Sequence, residues 1–138
     1  MAHSTNYSNT FIEVAQDCPA TAAEIPAARK HGGKSIALYH YSMLSERPYH
    51  YSSDELLFEV HVQRKDIPPA DREAEHQRFF SKGQACMRSS PLGKRYGWGV
   101  HFDVEGKMAI YAVESDEYRA LANDASLEHV RAMRSRRG

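Results

Sequence analysis

Apolar positions along the chain fall into short runs, and their spacing switches between two and about 3.6 residues, the periods of strands and helices. Residues 10–15 (TFIEVA) are β-branched and aromatic and are stopped by Asp17-Cys18-Pro19, which predicts a strand. Residues 16–34 carry Pro19, Pro26, Gly32 and Gly33 and predict a long surface loop. Ser35 is a good helix N-cap. Ile36, Tyr39, His40, Met43 and Leu44 follow it at i, i+3, i+4, i+7 and i+8, one helical stripe that Pro48 ends. Residues 56–63 (LLFEVHVQ) alternate, with Phe58, Val60 and Val62 on one side and Leu57, Glu59, His61 and Gln63 on the other, the pattern of a half-buried strand.

Pro68, Pro69 and Asp71 open a polar helix predicted over 70–81, with a thin stripe of Ala70, Ala74, Phe79 and Phe80 and with Gly83 placed to end it. Residues 84–95 predict an irregular or short-strand segment, in which Gln84-Ala85-Cys86-Met87 alternates like a short buried strand. Residues 97–103 and 107–113 flank Val104-Glu105-Gly106, a hairpin whose φ > 0 position falls to Gly106. Ser115, Asp116 and Glu117 start a helix that ends near Asn123, its acids in the first turn where the helix dipole favours them. Ser126 is read as the cap of a last helix bearing Leu127, Val130 and Met133, and residues 134–138 as a frayed basic tail. The order β, α, β, α, hairpin, two helices predicts an α+β domain with a mainly antiparallel sheet, a central hairpin and helices packed on one face.

Length and charge narrow the function classes. At 138 residues, without repeats or low-complexity tracts, the chain is expected to form one domain over 1–138. Its 18 basic and 18 acidic residues balance, which argues against a polyanion binder driven by bulk charge. No apolar run approaches the ~20 residues of a membrane span, and the first residues, MAHSTNYSNTF, lack the basic and apolar regions of a secretory signal. The two cysteines, Cys18 and Cys86, fit free thiols in a reducing cytoplasm, and their spacing matches no zinc pattern. No HxH, HxxxH or HExxH occurs among the eight histidines, so no metal is expected, and no motif calls for a cofactor.

Within this balance, residues 76–102 (HQRFFSKGQACMRSSPLGKRYGWGVHF) contain no carboxylate. The segment points to a small anionic ligand. Arg88, Lys94 and Arg95 supply charge, an arginine fork can hold a carboxylate or phosphate, Ser89 and Ser90 add donors, and Tyr96 and Trp98 can stack on a ring. The competing reading puts Trp98 in the core and pairs the basic residues with neighbouring acids. The glycines of YGWG lack the spacing of a phosphate-wrapping P-loop. A second candidate is an enzyme that uses Cys86 as a thiolate nucleophile with His101 as its base. In a third, Arg131, Arg134, Arg136 and Arg137 touch RNA phosphates, although no nucleic-acid-binding motif is present. Tyr49 and Tyr51, in a connector, are placed either to line a pocket mouth or to cover a sheet edge.

Several stretches together carry a resemblance: NTFIEVAQDCP, RPYHYSSDELLFEV, FFSKGQACMRSSPLGKRYGWGVH, SDEYRALAND and VRAMRSRRG. Over nearly its whole length the chain resembles the small bacterial proteins of the domain-of-unknown-function family DUF6157. The resemblance implies a small single-domain protein and supplies no activity, cofactor or catalytic residue.

Overall fold

The computed structural model describes residues 4–28 and 32–135. A four-stranded sheet has the order β3-β2-β1-β4, built from β1 (Thr10–Glu13), β2 (Trp98–Phe102), β3 (Met108–Ala112) and β4 (Glu128–Arg131). β1 runs antiparallel to β2 and parallel to β4, so two of the pairings are antiparallel and one is parallel. The α+β class with a mainly antiparallel sheet is therefore the observed one. β2 and β3 form the expected hairpin, with Trp98 opposite Ala112 and Phe102 opposite Met108. Gly106 takes φ +80 in its turn, where the Asp103 carboxylate accepts the N–H groups of Glu105 and Lys107. β3 is an edge strand, and Tyr49 and Tyr51 partly cover its start: the Tyr49 N–H donates to the Met108 carbonyl, and the Met108 N–H donates to the Tyr51 carbonyl.

Among the described residues there are five α-helices. α1 (Ile36–Glu46) has Ser35 as its cap, accepting the Leu38 N–H, and buries Ala37, His40, Met43 and Leu44, much as the stripe predicts. α2 (Ser53–Lys65) occupies the stretch whose alternation predicts a strand. The alternation is misleading because Leu56/Val60 and Phe58/Val62 are also two i, i+4 pairs on two faces of a helix. Leu56 and Val60 enter the main core, while Phe58 and Val62 join Phe80 in a second cluster. A capping box starts the helix: Ser52 accepts the Glu55 N–H, and the Glu55 carboxylate accepts the Ser52 N–H.

A 3-10 turn at Pro69–Asp71 leads into α3 (Arg72–Phe79), close to the expected bounds, although Phe80 rather than Gly83 ends it. No strand forms in residues 84–95. They hold a 3-10 turn, Met87–Ser89, and the short α4 (Pro91–Lys94), which Ser90 caps and Pro91 opens. α5 (Asp116–Ala122) starts from Ser115 as predicted. The last predicted helix is instead strand β4. The Ser126 hydroxyl donates to the Asp124 carboxylate, and the open edge of β1 supplies a backbone partner for residues 128–131. Residues 136–138 of the basic tail lie outside the described residues; just before them, the Ser135 N–H donates to the Asp17 carboxylate at 3.0 Å.

The strands alternate between two faces. Ile12, Val100, Phe102 and Met108 point into the main core beneath α1 and α2. Phe11, Gly99 and His101 point the other way, where Tyr118 of α5 packs edge-on against Phe11 at 5.0 Å. Helices thus lie on both faces, with the short α5 alone on the second. Gly99 is the tightest point on that face, because a Cβ there would stand 2.6 Å from both the Phe11 and Tyr118 rings. Gly99→Ala is expected to destabilise the fold by about 1–3 kcal/mol through overpacking, read as a drop in thermal midpoint. A change under about 0.5 kcal/mol would mean that these rings can move aside.

Candidate functional site

The acid-free segment does not gather its candidate residues around one point. Trp98 is a packing residue. Its ring lies 5.4 Å from Tyr41 and against the main core, and its Nε1–H donates to the Glu24 carbonyl at 2.8 Å. Tyr96 closes the turn after α4, its N–H donating to the carbonyls of Pro91 and Leu92. Arg95 lines a surface hollow with Asp17, Pro19 and Ser135. Lys94 stands half-buried in the last turn of α4. Arg88 lines a different cleft, with Arg131 and Arg134. Among the described residues, none of Arg88, Lys94 and Arg95 takes part in an ion pair, so the reading that neighbouring acids neutralise them does not hold.

Cys86 and His101 lie on opposite faces of the sheet. The Cys86 thiol is 3.4 Å from the Tyr7 hydroxyl, and Tyr7 stacks on Phe102, which faces the main core. Burial and the thiol contact push the Tyr7 phenol up to about 12, so it stays protonated. His101 follows Phe102's neighbour rule for a strand and points away, bonding the Tyr49 hydroxyl through Nδ1 at 2.8 Å. Desolvation lowers the His101 pKa, and the Tyr49 hydroxyl also meets Tyr111 at 2.7 Å. The Cys86–His101 dyad is therefore not assembled.

Ser90 leads to a different arrangement. Its hydroxyl lies 2.8 Å from Nδ1 of His40 on α1, and its oxygen accepts the Leu92 N–H at 3.2 Å. Both residues are almost completely buried, at 3% exposure for His40 and 4% for Ser90. The Ser90 hydroxyl and His40 Nδ1 share one hydrogen bond, whose direction follows the ring tautomer. When the Ser90 hydroxyl donates in that bond, the imidazole proton sits on Nε2. Burial lowers the His40 pKa from 6.5 to about 4, which keeps the ring neutral.

His40 Nε2 has no protein partner among the described residues. No fully buried side-chain nitrogen or oxygen is left unpartnered there, so Nε2 is open rather than sealed. A cavity of about 220 Å³ lies between α1, α2 and residues 84–91, and His40, Ser90 and Cys86 all line it. Leu57, Val60 and Phe79 give it apolar walls, Arg64 from the last turn of α2 stands at its edge, and no carboxylate lines it. Arg64 forms no ion pair among the described residues. The cavity thus brings the neutral imidazole of His40 and the Arg64 guanidinium to an apolar hollow.

A larger groove, about 610 Å³, runs between α2 and α3, with Tyr51 at its margin. Asp54, Glu55, Glu59 and Glu73 make it acidic. Most of that charge is already used within the fold. Asp54 accepts from the Thr5 N–H and hydroxyl, Glu55 closes the capping box and pairs with Lys107, and Glu59 pairs with Arg72 at 2.6 Å. The smaller cavity has the unused donors. Among the described residues, no group of three or more His, Cys, Asp and Glu side chains is placed to hold a metal.

The sequence offered only part of this site. His40 stood out as one member of an apolar stripe, and Arg64 was hidden by the strand reading of its helix. The open signal was the Ser52-Ser53-Asp54-Glu55 capping box, which turns residues 53–65 into a helix and carries Arg64 round to the cavity.

No curated protein and no solved structure matches the chain. The model of a family of unknown function, DUF6157, matches residues 2–138, and the chain belongs to that family.

Proposed function

We propose that this protein binds a small apolar carboxylate in the cavity between α1, α2 and residues 84–91. The observation that carries the reading is the buried, neutral His40, whose Nε2 has no protein partner among the described residues and which lines an acid-free hollow; in this reading Ser90 donates to Nδ1 and Nε2 carries the proton. A donor in an apolar wall calls for an acceptor on the ligand. Arg64 at the edge supplies the charge for a carboxylate, and a guanidinium fork suits its planar geometry. At about 220 Å³ the cavity lies below the roughly 300–1,000 Å³ of drug-sized sites, so a short chain or a single ring is the right size. The two free thiols, Cys18 and Cys86, support a reducing cytoplasm as the protein's location. No described helix is long and apolar enough to cross a membrane.

The test uses butyrate, hexanoate and benzoate as probes, with benzyl alcohol and sodium chloride as controls at matched ionic strength. A carboxylate present at 100 times its Kd adds about 2.7 kcal/mol, a rise of roughly 8 °C in melting temperature. Arg64→Gln, at an exposed and unpaired position, is expected to weaken binding about 10- to 100-fold. Cys86 lines the same cavity, so the bound probe should also slow its alkylation by iodoacetamide while leaving Cys18 unaffected. The proposal fails if no carboxylate raises the melting temperature, or if benzyl alcohol and Arg64→Gln behave like benzoate and the parent protein.

A further inference from the structure

A second cleft, about 290 Å³, lies where the end of β4 meets residues 88 and 89, and its lining includes Gln16, Arg88, Arg131 and Arg134 but no carboxylate. We infer that it is a separate binding site for a phosphate-type dianion, either a phosphomonoester or inorganic phosphate.

The backbone here is fixed in several places. The Met133 N–H donates to the Arg88 carbonyl at 2.8 Å, and the Ser89 hydroxyl meets the Met133 sulfur at 3.0 Å. The Ala132 N–H donates to the Glu13 carbonyl at 2.8 Å, and Ala132 is buried against α4, where a Cβ added to Gly93 would stand 2.9 Å from it. Arg88 is held as well. Its Nε–H donates to the Arg131 carbonyl at 2.7 Å, which orients the guanidinium and leaves both terminal amino groups for a ligand. A donor set fixed before binding loses little entropy when an anion arrives.

No carboxylate lines the cleft. Arg88, Arg131 and Arg134 form no ion pair among the described residues. Of the adjacent acids, Glu13 stands opposite Arg131 in the parallel pairing and 3.9 Å from His129, and Asp17 accepts the Ser135 N–H. Arg88 and Arg134 line the cleft without a carboxylate beside them, which is unfavourable in the empty protein, and a bound anion reverses the sign of that interaction. One carboxylate offers two acceptor oxygens, fewer than the donors of two guanidinium forks. A phosphoryl group offers three oxygens and about two negative charges, and it matches the cleft better. No aromatic side chain lines the cleft to stack on a base, which favours a small monoester over a nucleic-acid phosphodiester.

Isothermal titration with methyl phosphate, inorganic phosphate and dimethyl phosphate tests this, with sodium chloride at equal ionic strength throughout. The two dianions should bind, and the monoanionic diester should bind at least tenfold more weakly. Methyl phosphate affinity should fall as the pH drops below about 6, where the second proton returns. Arg88→Gln should weaken binding at least tenfold. Arg134→Gln should do the same, and because that side chain is exposed and makes no hydrogen bond among the described residues, its loss leaves folding out of the question. Arg64→Gln, in the other cavity, should leave phosphate affinity unchanged whether or not a carboxylate binds there. Equal affinity for monoester and diester, binding of single-stranded RNA but not of methyl phosphate, a response that follows ionic strength alone, or an unaffected Arg134→Gln variant would each overturn the inference.

Discussion

Acidification from pH 7 to pH 4 is expected to remove about 3 kcal/mol of stability through His40 alone. The folded protein holds this imidazole neutral, with a pKa of about 4, because burial penalises the charged ring and no anion faces it to offset that cost. In the unfolded chain the same group titrates near 6.5. Between these values the unfolded state binds more protons than the folded one, so stability rises with pH across the window. The contribution is whole above about 6.5 and lost as the pH falls to about 4. Arg64, lining the same cavity, adds like charge and does nothing to relieve the protonated ring. Urea unfolding of the parent protein and of His40→Asn at pH 7 and pH 4 isolates the term, since Asn keeps an acceptor for the Ser90 hydroxyl but does not titrate. The parent should lose about 3 kcal/mol more than the variant over that interval. Equal losses would show that His40 is solvated or paired with a charge.

Phe102→Ala is expected to cost about 3–5 kcal/mol, a large part of the 5–15 kcal/mol typical of a domain. Phe102 is fully buried in the main core, with the Tyr7 ring 5.2 Å away and Met108 opposite it across the hairpin. Truncation would leave a hole that neither neighbour can fill without leaving its own place in the sheet or core. The next residue up the strand provides the contrast. His101→Ala, on the half-exposed opposite face, should cost under about 1 kcal/mol. Denaturant midpoints with an unchanged slope would read both values. Similar costs at the two positions would contradict the register that sends Phe102 inward.

Much of the architecture was legible wherever one period dominated. The Ser35-capped helix has a single stripe, and the hairpin has alternation on both sides of a turn that needs Gly106. The reading failed where one pattern satisfies two geometries. In residues 56–63 every second residue is apolar because the helix has two buried faces, one toward the sheet and one toward Phe80. It failed again at residues 128–131, where a long-range pairing with β1 outweighs local helical spacing. The candidate site suffered for a related reason. Charge depletion over 76–102 marked a real feature, but a linear segment that threads through a turn, a short helix and a strand sends its side chains to separate places. Ser90 reached the cavity, Arg88 and Arg95 reached different clefts, and Trp98 packed half-buried against the core. The partners that complete the sites, His40, Arg64, Arg131 and Arg134, come from elsewhere in the chain.

The parallel pairing of β1 with β4 also dictates the order in which the molecule can be finished. Thr10 meets Glu128, so nearly the whole chain must be synthesised before the first strand acquires its second neighbour. Until then a nascent chain carries β1 with one row of backbone groups unpaired, an invitation to neighbouring polypeptides on crowded ribosomes. Closing so long a loop late is slow, and the final docking step falls to the same C-terminal residues that bring Arg131 and Arg134 beside Arg88. The arginine cleft therefore comes into being only with the last strand, and a product truncated before β4 would lack it entirely.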